Sequence, residues 1–335
     1  SAASDVYKRQ MPHFPVYLWT LPMFHCNGWC FPWSITLLAG CHVFLRKTEA
    51  GLIYDAFADH KVTHLCGAPI IMSMLANADE TQKRPFSQNI EMMTAAAPPP
   101  PAVIKAIEAA GISVTHVYGL TEVYGPAVIC AWKPEWNDLP AEEQARIKAR
   151  QGVAYELQED CLVLNPATGE PVPADGETMG EIVMRGNIVM KGYLKAPEDT
   201  RKAFTDGWFW TGDLAVLHHD GYIEIRDRSK DIIISGGENI SSIEIEKVLF
   251  EHEAVSAVAV VAQPDETWGE SPCAFVELMA DDAITEDDLA AYCREKLAGF
   301  KRPKRFVFGP LPKTSTGKIK KNELRQVVQA IHDNG

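Results

Sequence analysis

The stretch "IRDRSKDIIISGGENISSIEIE", Ile225 to Glu246, decides how this chain is organised. Before it, from 160 to 227, short β runs alternate with turns: "CLVLNPATGEPV", "GEIVMRG", "DGWFWTGD" and "DGYIEIRDR". These predict an antiparallel β region. After "DRSK" the pattern changes to strand "DIIISGG", helix "SSIEIEKVLFEH", strands "VSAVAVVAQ" and "PCAFVELM", then helix "TEDDLAAYCREKLAG". That is a compact α+β module of about 105 residues, large enough to fold alone. The boundary is placed near Lys230, giving domains 1–229 and 230–335. Within the stretch, Gly236–Gly237 permits close approach of a ligand to the backbone, or equally a hairpin turn.

Working outward, the region before 160 alternates apolar runs with helical patterns. "HVFLRK" (42–47) reads as a strand, "GLIYDAFADHK" (51–61) as a helix and "VTHLCGAP" (62–69) as a strand ending in a turn. "IEMMTAAA" (90–97) is a strand entering a loop, and the prolines 98–101 open a helix, "AVIKAIEAAG", stopped by Gly111. "SVTHVYG" (113–119) is the next strand. This βαβ rhythm predicts a largely parallel sheet with ligand loops at the strand C-termini. "KPEWNDLPAEEQARIKARQG" (133–152) is charged and predicted helical and solvent-facing. The expected class is therefore α/β: a large N-terminal lobe with a parallel sheet and a β-rich region, then a small α+β C-terminal domain.

With 335 residues, 46% hydrophobic and 23% charged, the chain has material for a core in each domain. A formal charge of −13 argues against nucleic acid as a partner. Residues 301–325 depart from that balance, with nine Lys/Arg against one acid, Glu323. The run 301–305 suits either a phosphate-bearing ligand or a solvated face. Eight cysteines without a regular framework suggest a reducing compartment, and Cys26 and Cys30 lack a second pair for a zinc site. No apolar run approaches the roughly 20 residues of a membrane helix, so a cytoplasmic location is expected. The opening "SAASDVYKRQ" has no apolar periodicity and carries no fold reading.

Several residues could carry chemistry. Thr121 and Glu122, after the strand "HVYG", offer a hydroxyl and a carboxylate to a phosphate and its Mg²⁺, or simply cap a helix. Asp213 in "WTGDL", read as a tight glycine turn, has two acceptor oxygens suited to a ribose diol, or is a structural turn residue. Arg228 could add a second ribose contact. Lys318 follows Gly317 in "LPKTSTGKIKKNELR", yet no phosphate-binding loop of the G-x-x-x-x-G-K-[ST] type is present. Pro312 stands where a glycine is needed, and Ile319 where Ser or Thr is needed. A solvated tail lysine is the bland alternative.

Taken together, "LPMFHCNGW", "TAAAPPPPAV", "VYGLTEVYGP", "MGEIVMRGNIVMKGYL", "GWFWTGDL", "RDRSKDIIISGGENISSIEIE" and "PKTSTGKIKKNELR" resemble, in order, the signature stretches of the adenylate-forming (AMP-binding) enzymes. Within that superfamily the chain resembles the acyl-CoA synthetases. Through "LWTLPMFHCNGWCFPW" it is similar to methylmercaptopropionate–CoA ligases, medium-chain fatty acid–CoA ligases and plant-type acyl-activating enzymes. The resemblance runs from about Val16 to Arg325. A Ser/Thr/Gly-rich phosphate loop, which in the family precedes the "PMFH" stretch, is not present. The chain is therefore expected to be a fragment of a longer synthetase.

The resemblance implies an ATP-dependent carboxylic acid–CoA ligase for short- to medium-chain or methylthio acids, using ATP/AMP, CoA and Mg²⁺. It implies that Lys318 swings into the active site during adenylate formation. Tyr118 would lie against the adenine, with Ala96 and Ala97 along its edge. Thr121 and Glu122 would serve phosphate and Mg²⁺, and Asp213 and Arg228 the ribose. Lys230 would be the hinge, and Ser235, Gly236 and Gly237 would line the pantetheine tunnel. His25, Trp29, Gly67, Val123, Tyr124 and Gly125 would wall the acyl pocket, with a satisfied core histidine as the lesser alternative for His25. Two alternatives stand beside this: a fragment that binds AMP or acyl-CoA without chemistry, and an amino-acid-adenylating domain. Whether the protein is a homodimer stays open.

Overall fold

The computed structural model describes residues 11–95, 99–156, 158–279, 284–314 and 318–333. The chain forms two compact units, one of Ser1–Thr211 with Ala215–Ile225, the other of Gly212–Leu214 with Arg226–Gly335. Lys230 thus lies inside the second unit, a few residues after the crossing.

The first unit is built on a seven-stranded sheet. Its strands are β1 (Val16–Trp19), β2 (Cys41–Phe44), β3 (His64–Gly67), β4 (Ile90–Thr94), β5 (Ile112–Leu120), β6 (Gly125–Ile129) and β7 (Val153–Ala154), in the order β2-β1-β3-β4-β5-β6-β7. Neighbours from β2 to β5 are parallel, whereas β6 and β7 add on antiparallel. The helix Ala50–His60 forms because Ala50, Ile53, Tyr54 and Phe57 recur at three- and four-residue spacing and bury one face. Helices Pro69–Ala76 and Pro101–Ala109 each begin at a proline, where the missing N–H costs nothing. One end of the core gathers Tyr17, Trp19, Trp29, Phe31 and Ile35. The parallel arrangement and the helices Ala50–His60 and Pro101–Ala109 are those expected from the βαβ rhythm, whereas β1 and the helix Pro69–Ala76 were not anticipated from sequence.

The 133–152 stretch differs from its expectation. Pro140 divides it into a 3₁₀ turn, Pro134–Asp138, and a helix, Ala141–Lys148, because proline has no N–H for a continuous helix. The helix is also not wholly solvent-facing, since Ala145 is buried.

A second sheet contains β8 (Asp160–Leu164), β9 (Gly180–Arg185), β10 (Phe204–Thr205), β11 (Trp208–Leu217) and β12 (Ile223–Arg228), ordered β10-β11-β9-β8 with β12 on β11. The β8–β9 and β10–β11 pairs are antiparallel, as expected for this region. A short helix, Pro197–Ala203, is inserted there without a sequence signal. It buries no residue, so no apolar stripe marks it.

The second unit carries β13 (Ile233–Ser235), β14 (Glu238–Ile240), β15 (Val255–Asp265), β16 (Gly269–Leu278) and β17 (Arg305–Phe308), ordered β14-β13-β16-β15 with β17 parallel to β16. Val258 and Val260 of β15 enter one apolar cluster with Ile245, Leu249 and Leu289. Ala259 and Val261 enter another with Leu324 and Val328. The period of two therefore buries both faces of this sheet beneath helices. Helix Ser242–Phe250 is capped by Ser241, and Glu286–Lys296 by a Thr285–Asp288 capping box. β17 and the last helix, Lys321–Asp333, were not anticipated from sequence.

His64 on β3 yields a stability prediction. Burial holds its pKa down to about 4 from 6.5, so the folded state binds this proton less readily than the unfolded chain. Stability is unaffected above 6.5 and falls as pH drops from 6.5 toward 4. By pH 4.5 His64 should cost about 2 kcal/mol. Urea unfolding of the wild type and of His64→Asn at pH 7 and pH 4.5 checks this: the variant should lose less stability on acidification.

Candidate functional site

The parallel strands β3, β4 and β5 end at one edge of the first sheet, where Gly67 registers with Thr94, and Thr94 with His116. A Cβ on Gly67 would sit 3.0 Å from both Ile71 Cβ and Met92 Cε, so the β3 end is close-packed. Thr94 is fully buried, and its hydroxyl has no hydrogen-bond partner among the described residues. Ala96 and Ala97, predicted to flank adenine, lie outside the described residues.

β5 then turns back into β6. Tyr118, largely buried, pairs with Val128, and Leu120 pairs with Gly125, with a register shift between Tyr118 and Gly119. Thr121–Val123 form one 3₁₀ turn, and Tyr124 takes a left-handed φ of 63°. Gly119 is required here, because its backbone packs against the Gly125 carbonyl with no room for a Cβ. Thr121 and Glu122 are thus held at a tight hairpin tip and do not cap an α-helix. The Glu122 carboxylate accepts from Tyr193 Oη at 3.0 Å, and its carbonyl accepts from Met190 N at 2.7 Å. Partial burial and the neighbouring Glu122 raise the Tyr193 pKa, keeping the phenol a donor. Val123 is fully buried and Tyr124 exposed. Trp29 is a core residue in the aromatic cluster with Tyr17 and Phe31, and His25 is partly exposed, its N–H donating to Pro22 O at 3.1 Å.

The remaining predicted residues belong to the second unit. Asp213 is not in a turn, contrary to the sequence reading. It lies within β11, because Gly212 at φ +74° bends the strand without ending it. Asp213 is 4% exposed and pairs with Arg228 Nε at 3.1 Å. The Arg228 carbonyl accepts from Asp231 N at 2.9 Å and Ile232 N at 3.1 Å, closing a turn around Lys230. Ser235 and Glu238 face each other, and Gly236 and Gly237 form the two-residue turn between them at φ +59° and +88°. The pair thus forms a hairpin turn, one of the two readings offered for it. A Cβ on Gly236 would meet Trp268 at 2.8 Å.

Lys318 closes a small loop. Its N–H donates to Thr314 Oγ1 at 3.0 Å and its carbonyl accepts from Thr314 N at 2.8 Å, while Lys313 bridges Ile319. The side chain is solvent-accessible, yet partial desolvation lowers its pKa below the ordinary lysine value. Arg228 and Lys230 repel its charge, and Asp213 and Asp231 oppose that effect. A lysine among these groups can serve a shared anionic charge.

Within the first unit Glu122 lies beside Tyr193, and within the second Asp213 and Arg228 are paired, with Lys318 in the same unit. Sequence reasoning did not assign Tyr193, which lies 71 residues from Glu122 with no local signal to join them. No group of three or more His, Cys, Asp or Glu able to hold a metal occurs among the described residues. No described helix is long and apolar enough to cross a membrane.

The AMP-binding enzyme sequence model matches residues 1–194, and the AMP-binding enzyme C-terminal domain matches residues 244–318. This chain belongs to the AMP-binding enzymes. Among members of the family, it is 55% identical to the peroxisomal acetate/butyrate–CoA ligase of Arabidopsis thaliana, over 92% of this chain and 56% of that protein. It is 52% identical to the 2-methylpropanoate–CoA ligase of Humulus lupulus, over 96% of this chain and 58% of that protein. The chain therefore spans a little under three fifths of these curated relatives. The solved structure of ATP-bound MatB from Rhodopseudomonas palustris matches at TM-score 0.81 and 28% identity, covering 98% of this chain and 63% of that one. The o-succinylbenzoate CoA synthetase of Bacillus subtilis, solved with its acyl-adenylate intermediate, matches at 0.79 and 26%, covering 97% and 63%.

Proposed function

We propose that this AMP-binding enzyme chain is the part of an ATP-dependent acid–CoA ligase that adenylates short aliphatic acids and passes them to CoA. A carboxylate attacks the α-phosphate of ATP, giving acyl-AMP and pyrophosphate. The CoA thiol then attacks the acyl carbon, AMP leaves, and the thioester forms. Adenylation is needed because a bare carboxylate has a poor leaving group. The observation that carries the reading is the buried Asp213 paired with the partly exposed Arg228, with Lys318 in the same charge neighbourhood. An acceptor for a ribose diol, a fixed guanidinium and a mobile ammonium are the groups an adenylate asks for.

In this reading Tyr118 packs on adenine, and Thr121 and Glu122 meet the phosphates. Glu122 supplies the carboxylate for Mg²⁺, an ion that commonly takes one or two protein carboxylates and completes its shell with phosphates and water. Lys230 acts as the hinge. The Ser235–Gly237 turn approaches pantetheine, with the basic run from Lys301 to Arg305 toward the CoA phosphates. Gly67, Val123 and Gly125 contribute small or apolar walls for a short acyl chain, with His25, Trp29 and Tyr124 at their margin. The acetate, butyrate and 2-methylpropanoate named for the relatives support short acids, and a reducing compartment, cytoplasm or peroxisome, suits the free thiols.

The test is direct. Titration calorimetry with AMP and with CoA should show binding of each, and supplied butyryl-adenylate plus CoA should yield butyryl-CoA. Binding of AMP without thioester formation would favour the non-catalytic alternative. Binding of neither would remove the ligase reading.

A further inference from the structure

Lys321, the first residue of the last helix, is three positions beyond Lys318 and belongs to no role assigned above. Its Nζ donates to Glu246 Oε1 at 2.7 Å and to Ser242 Oγ at 2.6 Å. Ser242 in turn donates through Oγ to Asp227 Oδ1 at 3.1 Å and through its N–H to Asp227 Oδ2. Glu246 Oε1 also accepts from Val260 N at 2.7 Å, and Ser241 Oγ donates to the Arg226 carbonyl at 2.6 Å. All these groups lie in the second unit. They join three pieces: the end of β12, the start of helix Ser242–Phe250 and the start of the last helix. One turn further along that helix, Arg325 reaches the Lys230 carbonyl and pairs with Asp231.

The arrangement is costly unless it holds something in place. Asp227 is 1% exposed, and burial raises the pKa of both Asp227 and Glu246 against the pull of Lys321. Two carboxylates around one ammonium are a weak route to stability compared with apolar packing, but they specify one geometry. The geometry specified here includes Arg228, adjacent to Asp227, and the base of the loop that carries Lys318. Lys320 N donates to Pro312 O at 2.8 Å and Thr314 N to the Lys318 carbonyl at 2.8 Å, so an anchor at Lys321 is passed to the backbone at Lys318.

We propose that Lys321 is a positioning residue for Lys318: through Ser242 and Glu246 it ties the Lys318 loop to the Asp227–Arg228 strand end. The proposal rests on the ligase reading for its meaning, but its test needs no turnover. In competitive acetylation with acetic anhydride across pH, read by peptide mass spectrometry, the midpoint for Lys318 reports how far it is desolvated and how near it sits to Arg228, Lys230, Asp213 and Asp231. Exposed Lys202 in the same chain is the internal standard. Lys321→Met should move the Lys318 midpoint upward, because the released lysine regains hydration and leaves the two cations. Lys321→Arg should restore it. Ser242→Ala keeps the Lys321–Glu246 pair and removes only the bridge, so it decides the matter if Lys321→Met fails to fold. It should shift the midpoint in the same direction. An unchanged Lys318 midpoint in folded Ser242→Ala, or in folded Lys321→Met, overturns the proposal. Loss of the ligase reading would instead appear as absent AMP and CoA binding with the midpoint shift intact.

Discussion

Lys318→Ala should lower acyl-adenylate formation by ~10²–10³, about 2.7–4 kcal/mol of transition-state stabilisation. A carboxylate closing on a phosphate brings two anions together, and the ammonium is the charge that offsets their repulsion as the bond forms. The pKa of Lys318 is lowered, chiefly by desolvation and then by Arg228, so its charge is incompletely hydrated before substrate arrives. Less solvent has to reorganise when it engages an anion. Conversion of a supplied acyl-adenylate by CoA should survive the substitution, because that step no longer joins carboxylate to phosphate. Pyrophosphate exchange and thioester formation, measured separately on this chain joined to the phosphate-loop segment of a relative, give the two rates. Equal losses in both would remove Lys318 from its proposed role.

Gly119→Ala should cost about 3 kcal/mol of stability, since overpacking against an immovable neighbour lies at the upper end of such effects. The added Cβ would fall 1.8 Å from the Gly125 carbonyl oxygen and 2.9 Å from Pro126 Cα. Both are backbone atoms of β6, so no side chain can rotate away. The β5–β6 pairing must open, and with it the tip that holds Thr121 and Glu122. Urea unfolding reads the loss. Gly299→Ala, where nothing lies within 4 Å of the new Cβ, should stay within about 0.5 kcal/mol. If Gly119→Ala is equally mild, the hairpin is not packed as described.

The two substitutions also mark what the sequence makes legible. The helix Ala50–His60 was readable because its apolar residues repeat every three or four positions, and β4 because a short apolar run ends at a proline cluster. The exposed helix Pro197–Ala203 was not, since a polar helix has no such repeat. At the site, the residue types were legible from their motifs, while their settings were not. Asp213 looked like a turn residue because glycine precedes it, but β11 continues through the bend since Gly212 tolerates a positive φ. Pro140 is visible in the sequence, but charge and helix propensity on both sides of it mask the break it makes between Pro134–Asp138 and Ala141–Lys148.

By itself, the amino-acid sequence determined the α/β class, the order of the elements with strong periodicity, and the family to which the chain belongs. The class and the element order are local, set by the spacing of apolar side chains and by glycine and proline at particular positions, whereas the family is read from the resemblance of successive signature stretches. Only the tertiary structure decided that Asp213 meets Arg228, that Tyr193 meets Glu122, and that Lys321 reaches Ser242 and Glu246. Hydrogen bonds and ion pairs depend on separations of a few ångströms between atoms that may be 70 or more residues apart along the chain, and side-chain periodicity carries no record of those distances.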